Sequence, residues 1–383
     1  MRTRTSYIPS ARRPGKRVPR RRLTRMAAAM ALAMSAFATA QAAATSAGPA
    51  AAAADASTTT VVNAPVAYRE TVADLDATIR FYHGVLGLEL ASRPSRWSPD
   101  PTQSALGGTR VRSRTVDIAV PNETFVLRFT QYRGVLQTPQ QAGPADPGQM
   151  QLTLSVKNAQ AAFAALRAAH TPTLREGGSI PDGTGTGTIT TWVRDPDRMP
   201  VEVVQRSGPD DWFTVDPPAV TDGPGMRYVI RGQIDFVAKS DTASLAFYRD
   251  LLGFDIDPGF SWLVGPYEHP VMADFLADMF GITHGSTWAA ATGNCAPEVR
   301  CEFFEYDDLA RTDFRPARTD PGAPSYEIST TDLPRLVARL KAAGVTIVTP
   351  HGHASVARGT QSVLVRDFSG LLVQIDQAGS PRG

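Results

Sequence analysis

The chain of 383 residues is 42% hydrophobic and 20% charged, an ordinary globular composition with room for two or three domains. Its formal charge of +2 hides a split. The first 54 residues carry ten Lys or Arg and no Asp or Glu, which leaves 29 basic against 37 acidic residues, about −8, for the rest. An acidic body argues against nucleic acid as a partner, because phosphate binding takes clustered cations, and beyond the N-terminus no apolar run reaches the roughly 18 residues of a membrane span.

Taken in chain order, residues 1–44 read as a signal peptide. A basic stretch runs from Arg2 to Arg25, a mildly apolar Ala/Met run follows from Met26 to Ala44, and small residues at Ala38, Ala40 and Ala42 supply an exit. Arg20-Arg21-Arg22-Leu23 resembles a twin-arginine signal. The expected product is secreted or extracytoplasmic, with residues 45–59 as a disordered linker.

The body repeats itself. Residues 77–88, containing Phe81-Tyr82 and Leu86-Gly87, recur 166 residues later as 243–254, with Phe247-Tyr248 and Leu252-Gly253. Apolar positions three and four apart predict a helix, and each glycine suits a left-handed C-cap. A second pair of helices, from Ala161 to His170 and from Thr331 to Gly344, is followed in each case by an Arg-Asp turn, Arg194-Asp195-Pro196-Asp197 and Arg366-Asp367-Phe368-Ser369. Alternating strands, Val201–Gln205 and Leu371–Ile375, close these units. The chain therefore divides into four modules at about 60–134, 147–207, 227–308 and 321–378, each reading strand, helix, then about three strands. A Pro/Asp/Gly-rich linker, 208–226, splits the body into halves 60–207 and 227–378.

Cys295 and Cys301 either close a small loop as a disulfide or remain two buried thiols; two cysteines are too few for a Cys-only metal site. Of the six histidines only His351 and His353 cluster, in a Gly-rich loop where solvation is the ordinary state. Trp262, Tyr267, Phe275, Phe280 and Trp288 crowd the third module beyond its helix, as core packing or as a wall for a flat ligand.

The Phe-Tyr…Leu-Gly openings and Arg-Asp closings, in this order over nearly the whole body, resemble the vicinal oxygen chelate superfamily, which includes glyoxalases, bleomycin resistance proteins and extradiol dioxygenases. The resemblance implies an α+β fold in which four βαβββ modules form two glyoxalase-like domains with curved mixed sheets. Two modules enclose a cup, and side chains from first and last strands hold a divalent metal at its floor. The family's first-strand ligand lies fourteen residues before the Phe, which selects Gln233 in module three and Ala67 in module one; the same frame selects Gln151 and Ser325 in modules two and four, with Gln149 sharing the face of Gln151. The last-strand ligand falls on Glu202 and Glu302, and on Arg128 and Gln374 in modules one and four. If modules two and three pair, Gln151, Glu202, Gln233 and Glu302 form a four-oxygen site, and Ala67, Arg128, Ser325 and Gln374 line a metal-free cup. If neighbours pair, Gln151 and Glu202 stand apart from Gln233, Glu302 and Gln374.

The resemblance further implies a lyase or isomerase that chelates vicinal oxygens of a small-molecule substrate, with Mg, Mn, Zn or Ni as metal and Glu202 or Glu302 as general base. The alternative is a metal-free protein that sequesters an antibiotic-like molecule. Extradiol dioxygenase chemistry is disfavoured, because no histidine falls on a ligand position. Glutathione is a poor candidate for co-substrate outside the cell. Partners beyond the small molecule are restricted to a second copy at most (monomer or homodimer), with no membrane once the signal is cleaved.

Overall fold

A computed structural model describes residues 64–106, 110–183, 188–205, 228–256, 274–296, 299–307, 309–350, 354–355 and 361–378. The leader, both linkers, Trp262, Tyr267, His269, His351 and His353 lie outside the described residues.

Module one runs β1 (Ala64–Thr71), α1 (Leu75–Ile79, continued π-helically by Arg80–Val85), β2 (Ser98–Pro99), α2 (Pro101–Ala105), β3 (Arg112–Ala119) and β4 (Val126–Arg133). Module two has β5 (Met150–Val156), α3 (Ala159–Ala168), β6 (Ile189–Arg194) and β7 (Pro200–Gln205). Module three has β8 (Val229–Ala238), α4 (Asp241–Leu245, with π-helical Ala246–Leu251), β9 (Asp255–Ile256), α5 (Asp274–Phe280), β10 (Thr287–Ala296) and β11 (Val299–Asp307). Module four has β12 (Ala323–Thr330), α6 (Leu333–Ala342), β13 (Thr346–Ile347), β14 (Ala354–Ser355), β15 (Gln361–Arg366) and β16 (Leu372–Gln377).

Each first strand hands over to its helix through a polar cap. Asp74, Asn158, Ser240 and Asp332 accept hydrogen bonds from the first-turn N–H groups of Ala77, Ala161, Ala243 and Arg335. The helices end on left-handed residues, Gly87 and Gly253 as expected and Gly344 in module four, where module two has His170 at φ 52°. His170 is thus a helix terminator.

The strands form two mixed sheets, and each draws on both halves of the chain. A seven-stranded sheet has the order β6-β7-β5-β8-β11-β10-β9, so modules two and three join through antiparallel β5 and β8. A nine-stranded sheet has β13-β15-β16-β12-β1-β4-β3-β2, with β14 on β15, so modules four and one join through β12 and β1. Helices and the inward faces of both sheets share one apolar core, where Phe236 of β8 meets Tyr326 of β12 edge-on at 5.4 Å.

Sequential modules are tied differently, through the two motifs that recur in the sequence. The Tyr82 hydroxyl donates to Asp195 at 3.2 Å, and Tyr248 to Asp367 at 2.8 Å. Each aspartate also accepts two turn N–H groups, from Asp197 and Met199 or from Ser369 and Leu371. The preceding Arg194 and Arg366 brace the same turns by donating to the carbonyls of Arg198 and Gly370. The Cys pair resolves as a Cys295–Cys301 disulfide with Cα atoms 5.8 Å apart, linking β10 to β11.

Gly370 holds φ 101°, and an added Cβ would meet the Arg315 side chain at 3.0 Å. Gly370→Ala should cost about 1–2 kcal/mol, read as a lower midpoint in urea with unchanged slope. The turn acids set a pH profile. Burial pushes Asp195 and Asp367 up to about 6, and burial, chiefly, pushes Asp197 and Asp241 up to about 7. The folded chain therefore binds more protons than the unfolded one between roughly pH 4 and 7, and its stability falls as pH rises through that window. Glu327 has the opposite sign. Burial pushes its carboxyl up, but Arg69 and Arg128 outweigh that and hold it down, so its contribution is lost as pH falls below its folded value. The thermal midpoint should peak at the acid end of that window, at about pH 4; a higher midpoint at roughly pH 7.5 than at pH 5 would contradict this account.

Candidate functional site

The register of β5 on β8 decides what faces the central cup. Leu152 lies opposite Ile234, and on either side Gln151 pairs with Asp235 and Thr153 with Gln233. Parallel β7 and β11 flank them, with Glu202 beside Thr153 and Glu302 beside Asp235. Because residues directly opposite share a face and side chains alternate along strands, all four sequence-selected residues stand on one face of one sheet. Gln151 matches Gln233, Thr153 matches Asp235, and Glu202 matches Glu302 about the Leu152–Ile234 centre. Gln149 is two residues along the same face and is buried.

Thr153 and Asp235 were not selected from the sequence, although each lies two residues beyond a selected glutamine, on the same face. Thr153 Oγ1 reaches Glu202 Oε2 at 2.9 Å and Asp235 Oδ2 at 2.7 Å, while Thr190 of β6 donates to Glu202 Oε1 at 2.6 Å. Gln233 spends its amide N–H on Asp235 Oδ1 at 2.6 Å, and Gln151 spends its own on the Pro144 carbonyl at 2.9 Å. The two amide oxygens, Gln151 Oε1 and Gln233 Oε1, remain buried without a hydrogen bond. An orphan of this kind costs about 1–3 kcal/mol.

The electrostatics point the same way. Burial first, then the negative charges of Glu302 and Glu202, push the Asp235 carboxyl well above the usual range, against the bonds from Gln233 and Thr153. Burial and the same three acids push the Tyr306 hydroxyl up. Anionic oxygens and unpartnered amide oxygens around one floor suit a hard cation. Among the described residues, no three His, Cys, Asp or Glu side chains are grouped to hold a metal by themselves; the glutamines are what would complete such a set.

The cup's wall is aromatic. Trp192 lies opposite Glu202 across β6 and β7, and Tyr306 opposite Trp288 across β11 and β10. Phe280 of α5 packs on Trp192 at 4.7 Å and on Tyr306 at 6.2 Å, and Phe304 lies 6.1 Å from Trp288. These residues form an apolar cluster separate from the main core. Phe280 and Trp288 thus pack in the cup's lining, while Phe275 is 40% exposed.

The outer cup, on the nine-stranded sheet, is built on the same frame with different charges. Ala67, Ser325, Arg128 and Gln374 occupy the ligand positions, and Arg69 and Glu327 stand where the central cup has Thr153 or Asp235. Arg128 grips Asp117 with two bonds at 2.8 and 2.9 Å and Glu327 Oε1 at 2.6 Å; Arg69 bonds the other Glu327 oxygen and Gln374 Oε1. Two guanidinium groups therefore occupy the floor that the central cup leaves to carboxylates.

The sequence pattern of the glyoxalase/bleomycin resistance protein/dioxygenase superfamily matches residues 68–203 and 231–375, and the chain belongs to that superfamily. Among solved structures it is similar to a mutant of glyoxalase I from Zea mays, with a TM-score of 0.50 at 16% identity, covering 82% of this chain and 91% of that one. A second mutant of the same maize enzyme, in another crystal form, gives 0.50, 16%, 82% and 92%. At that identity the likeness concerns the fold. No curated protein sequence matches the chain.

Thr153→Val should remove two bonds to acids and cost about 2–3 kcal/mol at neutral pH. Asp235→Asn should do the reverse in metal-free protein. A carboxyl whose folded value is raised destabilises the chain above its unfolded value, so this variant should melt higher than wild type at roughly pH 8 and alike near pH 4. Equal melting at both pH values would show that Asp235 carries no such burden.

Proposed function

We propose that this chain is an exported, metal-dependent lyase or isomerase acting on a small molecule with two neighbouring oxygens, and that Gln151, Glu202, Gln233 and Glu302 of the central cup hold the metal. The observation that supports this most is the pair of buried, unpartnered amide oxygens set among three acids, with both neighbouring charges on Asp235 negative. The donor set is all oxygen, which favours Mg or Mn, with Zn or Ni admitted by the family. Once bound, such an ion acts as a Lewis acid that stabilises charge developing on a substrate oxygen.

The chain's own groups supply the rest. Thr153 and Thr190 hold both oxygens of Glu202 and so keep that ligand oriented. Glu302 is assigned as the general base, next to an Asp235 whose affinity for protons is raised by burial first and then by Glu302 itself. The wall of Trp192, Phe280 and Tyr306 excludes water and favours a substrate with a flat or apolar body. That wall also supports the second reading, a metal-free binder of an aromatic small molecule. Export rests on the basic leader and its Ala/Met run, and the Cys295–Cys301 disulfide suits an oxidising compartment.

Calorimetric titration of metal-free protein with Mn or Ni should give one site per chain. Glu202→Gln and Glu302→Gln should each weaken it by roughly ten- to a hundredfold, while circular dichroism stays unchanged. No stoichiometric site, or one insensitive to both substitutions, would leave the binder as the surviving reading.

A further inference from the structure

We infer that the outer cup is a second, metal-independent site, built to take a small oxyanion such as a carboxylate or a phosphate. The argument begins with Arg318, in the loop ahead of β12. Its side chain is carried into the cup by a bond from Nη2 to Gln374 Oε1 at 3.0 Å, the same oxygen that accepts from Arg69 at 3.2 Å. The residue is only 8% exposed, and Nη1 is buried without an acceptor. Among the described residues no carboxylate lies within ion-pair distance of it. A buried guanidinium with no counter-charge is expensive, so the cup is organised for an anion that arrives from outside.

A second donor stands with it. Tyr132 projects from the same face of β4 as Arg128, is 3% exposed, and its hydroxyl is likewise buried without a partner. Burial pushes that hydroxyl up, Arg318 and Arg69 pull it down, and Asp100 and Glu327 add to the rise; Asp100 is itself held by the Gln103 N–H and the Ser113 hydroxyl.

The acids of the cup are already committed. Asp117 is gripped by Arg128, and Glu327 is shared by Arg69 and Arg128. Asp376 accepts from Ser362 and Gln374, and burial and Glu327 push its carboxyl up. None of them is bonded to Arg318. The Arg128 and Asp117 side chains are 23% exposed, so solvent reaches the mouth. A buried guanidinium N–H and a buried hydroxyl, both without acceptors in the same cup, suit the oxygens of a small anion.

The site is separate from the proposed metal centre, and the test keeps them apart. Metal-free protein is titrated with malonate and with inorganic phosphate, following heat and thermal shift, with uncharged malonamide and matched NaCl as controls. Saturable stabilisation by at least one anion and none by malonamide is expected; the tighter of the two probes identifies the anion class. Arg318→Gln should weaken binding by roughly tenfold or more, and the isosteric Tyr132→Phe by roughly three- to tenfold. Tyr132→Phe decides the matter if Arg318→Gln fails to fold. Affinity should persist in Glu202→Gln, whose lesion is in the central cup. No saturable binding to wild type, an unchanged affinity in Tyr132→Phe, or loss of binding in Glu202→Gln would each overturn the inference.

Discussion

The antiparallel pairing of two first strands, centred on Leu152 opposite Ile234, is the constraint from which the rest follows. With side chains alternating every residue, a slip of one position would send Gln151, Thr153, Gln233 and Asp235 into the apolar core and bring Leu152, Leu154 and Ile234 into the cup. The core forbids it, because Leu152, Leu154, Ile234 and Phe236 are buried there against the helices. Burial on one face therefore sets the chemistry on the other.

The same pairing, made by β1 and β12, gives the second cup an identical frame and opposite electrostatics. One floor carries Glu202, Asp235 and Glu302 with two idle amide oxygens; the other carries Arg69 and Arg128 clasping Glu327. Duplicated scaffolds allow such divergence, since cup residues alternate with core residues and can change without touching the packing. The second cup has its cations built in.

Two kinds of joint hold the four modules. Sheet pairing links module two to three and four to one, whereas the tyrosine–aspartate bonds link one to two and three to four. The ring of contacts is closed, so every module is fixed by both neighbours. This explains why Phe-Tyr and Arg-Asp recur together along the chain: Tyr82 and Tyr248 are the donors, and Asp195 and Asp367 are at once turn caps and acceptors.

Local periodicity and repetition were enough to determine the four modules and their helices, because strand alternation and helix termination are short-range effects written in consecutive residues; the resemblance to the superfamily then supplied the frame that singled out Gln151, Glu202, Gln233 and Glu302. They could not choose between module pairings, which depend on which first strands meet. That choice, made by tertiary packing, brought the four oxygens to one face and revealed Thr153, Asp235, Arg69 and Glu327, each two residues beyond a counted position. Arg318 was beyond reach of any local pattern, and strand alternation puts Tyr132 on the face of Arg128 without showing what it meets. One enters from a loop and the other from a strand far earlier in the chain, and only the folded cup leaves both of their donors buried and without acceptors.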